Sequence, residues 1–195
     1  MFRLVMTLLR RCALVSGVVA LAIAIQVPAL AGTYHHTDAR HDVKRYPRSH
    51  APHNRQSDVT HLQIVHHDKA VRFYLRFRSA SMHGVRFRGF VIFLKTPSHS
   101  YRAGLDWRHS GARGDLVDTT TGQPVMCDQT ISRNGHTYLI RIDRGCLGNP
   151  RWIRAAFITG VNLGTTRSFS DDPLSSNWRR PDGGGPFTPR VHSSS

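Results

Sequence analysis

Val59-Thr60-His61-Leu62-Gln63-Ile64-Val65, a polar break at His66-His67-Asp68-Lys69, and Val71-Arg72-Phe73-Tyr74-Leu75-Arg76-Phe77-Arg78 form the stretch that decides the fold. In the second half Val71, Phe73, Leu75 and Phe77 alternate with Arg72, Tyr74, Arg76 and Arg78. In the first, Leu62 and Ile64 alternate with His61, Gln63 and Val65. Side chains of a strand point to opposite faces in turn, so this spacing predicts two antiparallel strands with one face in a core and a basic face outward. A helical period of 3.6 cannot hold an alternation through eight residues.

The same signal continues outward. Phe90-Val91-Ile92-Phe93-Leu94, within 87–94, is dense enough to predict a central strand covered on both faces. Tyr101 to Trp107 and Asp115 to Thr119 read as weaker strands. Thr130 to Ser132 leads into Asn134-Gly135, a hairpin-turn dipeptide, and Tyr138, Ile140 and Ile142 resume the alternation. Trp152 to Val161 is the last clear strand. About seven to nine strands at short spacing, with no convincing helix between them, predict a single all-β domain. An antiparallel β-sandwich is the first expectation and a β-barrel the alternative.

The ends read differently. Arg3, Arg10 and Arg11 precede an apolar run from Cys12 to Ile25, and Pro28 and Ala29-Leu30-Ala31 follow. That order predicts a secretory signal over 1–31, cleaved after Ala31 and leaving no membrane-spanning helix. Residues 32–57 read as a polar arm with one short strand, Val43 to Tyr46. The sandwich spans 58–165. Residues 166–195, rich in Ser, Pro and Gly, read as a flexible tail.

Charge and cysteines bound the function. The chain of 195 residues has a net charge of +15 with 27 Lys and Arg against 12 acids, all of them Asp. Arginine bias has a compositional reading, a GC-rich coding sequence, and an electrostatic one, attraction to polyanions. Beyond the leader only Cys127 and Cys146 remain. In an oxidising compartment they can pair only with each other. Closing a loop of roughly 20 residues stabilises a domain by about 3 kcal/mol in the chain-entropy account.

Without glutamate there is no H-E-x-x-H zinc helix and no Glu pair for glycoside cleavage. No G-x-S-x-G elbow, S-x-x-K or phosphate-binding glycine loop occurs either. Histidines are dense at His35-His36 with Asp38, at His50 with His53, and at His66-His67-Asp68; imidazole suits zinc, copper or nickel, but solvated loop residues are the plainer reading. Asp38, Asp42, Asp58, Asp171 and Asp172 fall at predicted strand ends, which can meet at one edge of a sandwich. Calcium takes about six to eight oxygens and is the ion these aspartates would suit, while Asp in turns supplies the plainer reading. The row Arg72, Tyr74, Arg76 and Arg78, extended by Arg86 and Arg88, is the candidate polyanion-binding face.

Asp38-Ala39-Arg40-His41-Asp42-Val43 resembles the opening, and Cys146-Leu147-Gly148-Asn149-Pro150-Arg151-Trp152-Ile153-Arg154 the closing segment, of uncharacterised small secreted β-sandwich proteins of high-GC Gram-positive bacteria. The likeness covers roughly residues 38–165. The opening also resembles, more faintly, DOMON and carbohydrate-module sandwiches. Both resemblances imply a sandwich, and neither carries catalytic residues to this chain. The expected function is an exported, non-catalytic binding or envelope-associated protein whose basic face meets an anionic cell-wall polymer or glycan, with nucleic acid not excluded. The alternative is an extracellular hydrolase using Asp and His.

Overall fold

The computed structural model describes residues 32–46, 49–51, 54–164, 167–175 and 185–194. The expected leader, 1–31, lies outside them. Two antiparallel sheets build the fold and neither closes into a barrel. The smaller sheet has five strands in the order β1 (Thr33–Thr37), β4 (Val59–His66), β5 (Ala70–Phe77), β11 (Thr137–Asp143) and β10 (Gln129–Asn134). The larger runs β3 (Ser49–His50), β2 (Lys44–Tyr46), β13 (Ser168–Asp171), β12 (Trp152–Asn162), β6 (Phe87–Lys95), β7 (Ser100–Arg108), β8 (Gly111–Asp118) and β9 (Gln123–Pro124), with β14 (Val191–His192) on β12. Among the described residues the one helical element is a 3₁₀ turn, Arg144–Leu147.

The deciding stretch forms β4 and β5 as the expected antiparallel pair, with Leu62 opposite Leu75 and Ile64 opposite Phe73. The inward residues Leu62, Ile64, Phe73, Leu75 and Phe77 are at most 1% exposed. They pack against Phe90, Ile92, Leu94 and Phe157 of the other sheet. Phe77, Phe90 and Tyr138 form an aromatic cluster, with ring centroids 5.4–6.1 Å apart, and Phe73 meets Phe157 edge-on at 5.7 Å. Such contacts add to the burial of apolar surface that drives the two sheets together.

Three expectations need correction. β6 is central, but its burial alternates, because Val91 and Phe93 lie on a half-covered outer face. The arm is not merely polar coil, since Thr33–Thr37 adds an edge strand to the smaller sheet. The tail contributes β13 and β14. Thr188 Oγ1 accepts a hydrogen bond from the Ala155 N–H, and Val191 is 4% exposed. The Asn134-Gly135 turn is present, displaced by one residue: Asn134 pairs with Thr137, and Gly135, at φ 56°, opens the loop with His136. Cys127 and Cys146 are joined, with Cα atoms 6.0 Å apart, tying the segment before β10 to the 3₁₀ turn.

Candidate metal centre

The chain passes from one sheet to the other between β1 and β2, through Asp38 to Val43. That crossing carries Asp38 and Asp42 to the edge where β13 ends in Asp171-Asp172 and where Asp58 opens β4. Carboxylate oxygens of Asp38, Asp42 and Asp171 lie within 4.8 Å of one another. Calcium–oxygen bonds of about 2.3–2.6 Å put opposed ligands of one ion about 5 Å apart, so the three oxygens fit around a single cation.

Local structure fixes each group. Asp38 is 6% exposed; its Oδ1 accepts the Ala39 N–H at 2.8 Å, while its buried Oδ2 has no hydrogen-bond partner. Asp171, 2% exposed, accepts the Val59 N–H at 2.8 Å, which ties the end of β13 to the start of β4. Asp172, 3% exposed, accepts the Leu174 N–H at 3.1 Å. Asp58 is fully buried and takes Arg78 Nη1 at 2.7 Å and the His41 N–H at 3.1 Å on one oxygen; the other has no hydrogen-bond partner. His41 stands at φ 72°, a left-handed conformation uncommon for a side-chain-bearing residue, and this turn aims its N–H at Asp58.

Buried anions at this density oppose one another. Burial, and then repulsion from Asp42, push the Asp38 carboxyl up to about 8. Burial followed by the charges of Asp38 and Asp42 takes Asp171 to about 9. Burial and Asp42 raise Asp172 to about 6, against the opposing Leu174 hydrogen bond. Arg78 compensates Asp58. A group of carboxylates this deep holds its charges together only with a proton or a cation among them.

The other sequence-predicted residues divide. Arg72, Tyr74 and Arg76 lie on the outer face of β5, beside Val65, Gln63 and His61 of β4. Arg78 leaves that face. A β-bulge between Val59 and His61 interrupts the ladder there, and the guanidinium is drawn to the buried Asp58. Arg88 is fully buried, over Phe77 at 4.1 Å and Tyr138 at 4.9 Å, and donates to the Gln56 and Ser79 carbonyls. It cannot meet a polymer. Arg86 is exposed but lies just before β6, in the other sheet. The histidine clusters do not assemble a site among the described residues; His66 is buried, its ring nitrogen bonded to the Val191 carbonyl at 3.0 Å.

The aspartate convergence was only a possibility at the sequence level. What the sequence lacked was the pairing of β13 with both β12 and β2, which brings the end of the chain beside its beginning. No helix among the described residues is long and apolar enough to cross a membrane. The chain matches no protein-family model, no curated protein and no solved structure, so the chemistry of this edge stands on its own residues.

Proposed function

We propose that the protein is an exported, non-catalytic binding module whose two sheets are clipped together by a calcium ion held by Asp38, Asp42 and Asp171, with Asp172 and Asp58 beside them. The observation that carries this reading is the approach of three carboxylates within 4.8 Å, two of the residues buried and Asp42 half-buried, with the buried Oδ2 of Asp38 satisfied by no hydrogen bond among the described residues. A dry site made of several carboxylates suits calcium, which accepts many oxygens in flexible geometry. Magnesium prefers a strict octahedron that retains water. The depth of these aspartates speaks against their acting on a polymer substrate, which cannot reach oxygens this enclosed. The disulfide fits an oxidising compartment.

Calorimetric titration of the chelator-stripped 32–195 chain with calcium tests this. One calcium per chain is expected, with magnesium weaker, and Asp38→Asn and Asp171→Asn each abolishing the heat. Absence of binding at millimolar calcium overturns the proposal.

A second reading is supported by the outer face of β5. Arg72 and Arg76 flank Tyr74 there, and Arg141 of β11 stands opposite Arg72. Contact with an anionic cell-wall polymer through these residues is a proposal independent of the ion.

A further inference from the structure

At the end of the sandwich where β5 leads into β6, three turns surround a cavity of about 730 Å³. Residues 79–83 form one wall. Trp107 and Arg108 end β7, and His109 follows them in the turn to β8. Arg133 stands near the end of β10, and Gly135 and His136 form the turn to β11. We infer that this cleft binds an anionic saccharide, the sugar ring against Trp107 and its carboxylate or phosphate on Arg133 and Arg108.

The charge of the lining points to an anion. Every titratable side chain in the wall is basic: His83, Arg108, His109, Arg133 and His136, with no carboxylate among them. Arg108 already holds Asp106 at 2.8 Å. Arg133 is exposed, and its one described bond goes to the Ala80 carbonyl at 3.0 Å, which orients the guanidinium and leaves other N–H groups for a ligand. A planar fork of donors is the group suited to a carboxylate or phosphate. The buried Arg88 donates to the Ser79 carbonyl in the same wall, at 3.3 Å, and adds positive charge beneath it.

The ring requirement comes from Trp107. It is half-buried, lines the cavity, and is set edge-on against Tyr138 with centroids 5.8 Å apart. An indole fixed by a buried ring is a preformed platform for a sugar. The 79–83 wall is likewise held, since the Gln56 side chain donates to the Ser81 and His83 carbonyls at 3.2 and 3.1 Å. A cavity of this volume is in the range of small-ligand sites, roughly 300–1,000 Å³. It shares no lining residue with the aspartate cluster, so the two proposals stand or fall separately.

The test is NMR titration of the 32–195 chain, following the Trp107 indole N–H. Its signal is assigned with Trp107→Phe. The probes are glucuronate, glucose 6-phosphate, glucose and inorganic phosphate. Saturable shifts with a Kd of the order of 1 mM are expected for one or both charged sugars, and which of them binds tells carboxylate from phosphate ligands. Glucose and phosphate alone should bind at least tenfold more weakly. Arg133→Ser, at an exposed position, should cost at least tenfold, and Arg133→Lys should restore only part of it. Equal binding of glucose, equal binding of phosphate alone, unchanged affinity in Arg133→Ser, or no shift with either charged sugar at 10 mM overturns the inference.

Discussion

Removing calcium is the perturbation with the most to say about this fold. The ion would join the crossing that carries Asp38 and Asp42 to Asp171 at the end of β13. It would bind the folded chain and has no assembled site in the unfolded one. Its contribution is therefore the linkage term, which grows with the logarithm of free calcium over Kd. With a Kd of about 10⁻⁴ M, at the tight end for extracellular modules, 5 mM calcium contributes about 2.3 kcal/mol. For a chain of this size that raises Tm by roughly 5–9 °C. The assay is thermal unfolding of chelator-stripped protein at pH 8, with and without 5 mM calcium. Asp171→Asn sharpens it. Asparagine can still accept the Val59 N–H and is neutral without the proton that folding at pH 8 requires Asp171 to take up, so the stripped variant should melt above the stripped parent while losing the calcium response. A calcium response that survives in Asp171→Asn, or a stripped variant that melts below the parent, refutes the reasoning.

Four further outcomes follow from the same contacts. In calcium-free protein, stability should fall as pH rises from 7 to 9: Asp38 and Asp171 keep protons in the folded state up to about 8 and 9, while the unfolded chain has lost them near 3.8. Saturating calcium should abolish that fall in a urea titration. Cys127→Ser with Cys146→Ser should lower stability by about 2–5 kcal/mol, read from the urea midpoint, and should leave calcium binding intact. Arg88→Ala should cost about 3–5 kcal/mol through lost ring contacts and two stranded carbonyls, with Arg88→Met recovering part of it. Arg72→Ser with Arg76→Ser should weaken retention on an immobilised anionic glycan and flatten its salt dependence, whereas Arg86→Ser should not.

How much of this was legible depended on where the partner of each residue lay. β4, β5 and β11 were readable because one buried face leaves a period of two in the chain itself, and β6 and β12 because they are long apolar runs bounded by turn residues. Arg88 was not readable. It shares the parity of Phe90, Ile92 and Leu94, all inward. The unbroken apolar run from Phe90 to Leu94 hides that parity in the sequence, and the outward row followed charge alone. Arg78 could not be assigned this way, because a bulge breaks the alternation just where it stands. β1, β13 and β14 left no signal. They are short, polar strands at edges or chain ends, and their order comes from backbone pairing with β4 and β12. The aspartates were visible as strand-end residues. Their convergence depends on contacts spanning more than a hundred residues, as between Val59 and Asp171, and no local pattern encodes those.

The acidic edge also constrains how the fold exists at neutral pH. Asp38, Asp58, Asp171 and Asp172 are each at most 6% exposed, and Arg78 supplies the positive charge that Asp58 meets. Water cannot screen charges that it does not reach, so ionising the rest together would drive the β1–β2 crossing away from β13. The folded edge can relieve this by keeping protons, which the raised carboxyl groups do in calcium-free protein, or by holding a cation. The two compete for the same oxygens, so calcium binding must release protons, and affinity must rise with pH until Asp171 is ionised without help. Calorimetry at pH 7 in two buffers of different ionisation enthalpy counts those protons directly. At least one proton released per calcium is the expected count. A count of zero would mean that the carboxylates are already charged in the ion-free fold and that another cationic group neutralises them.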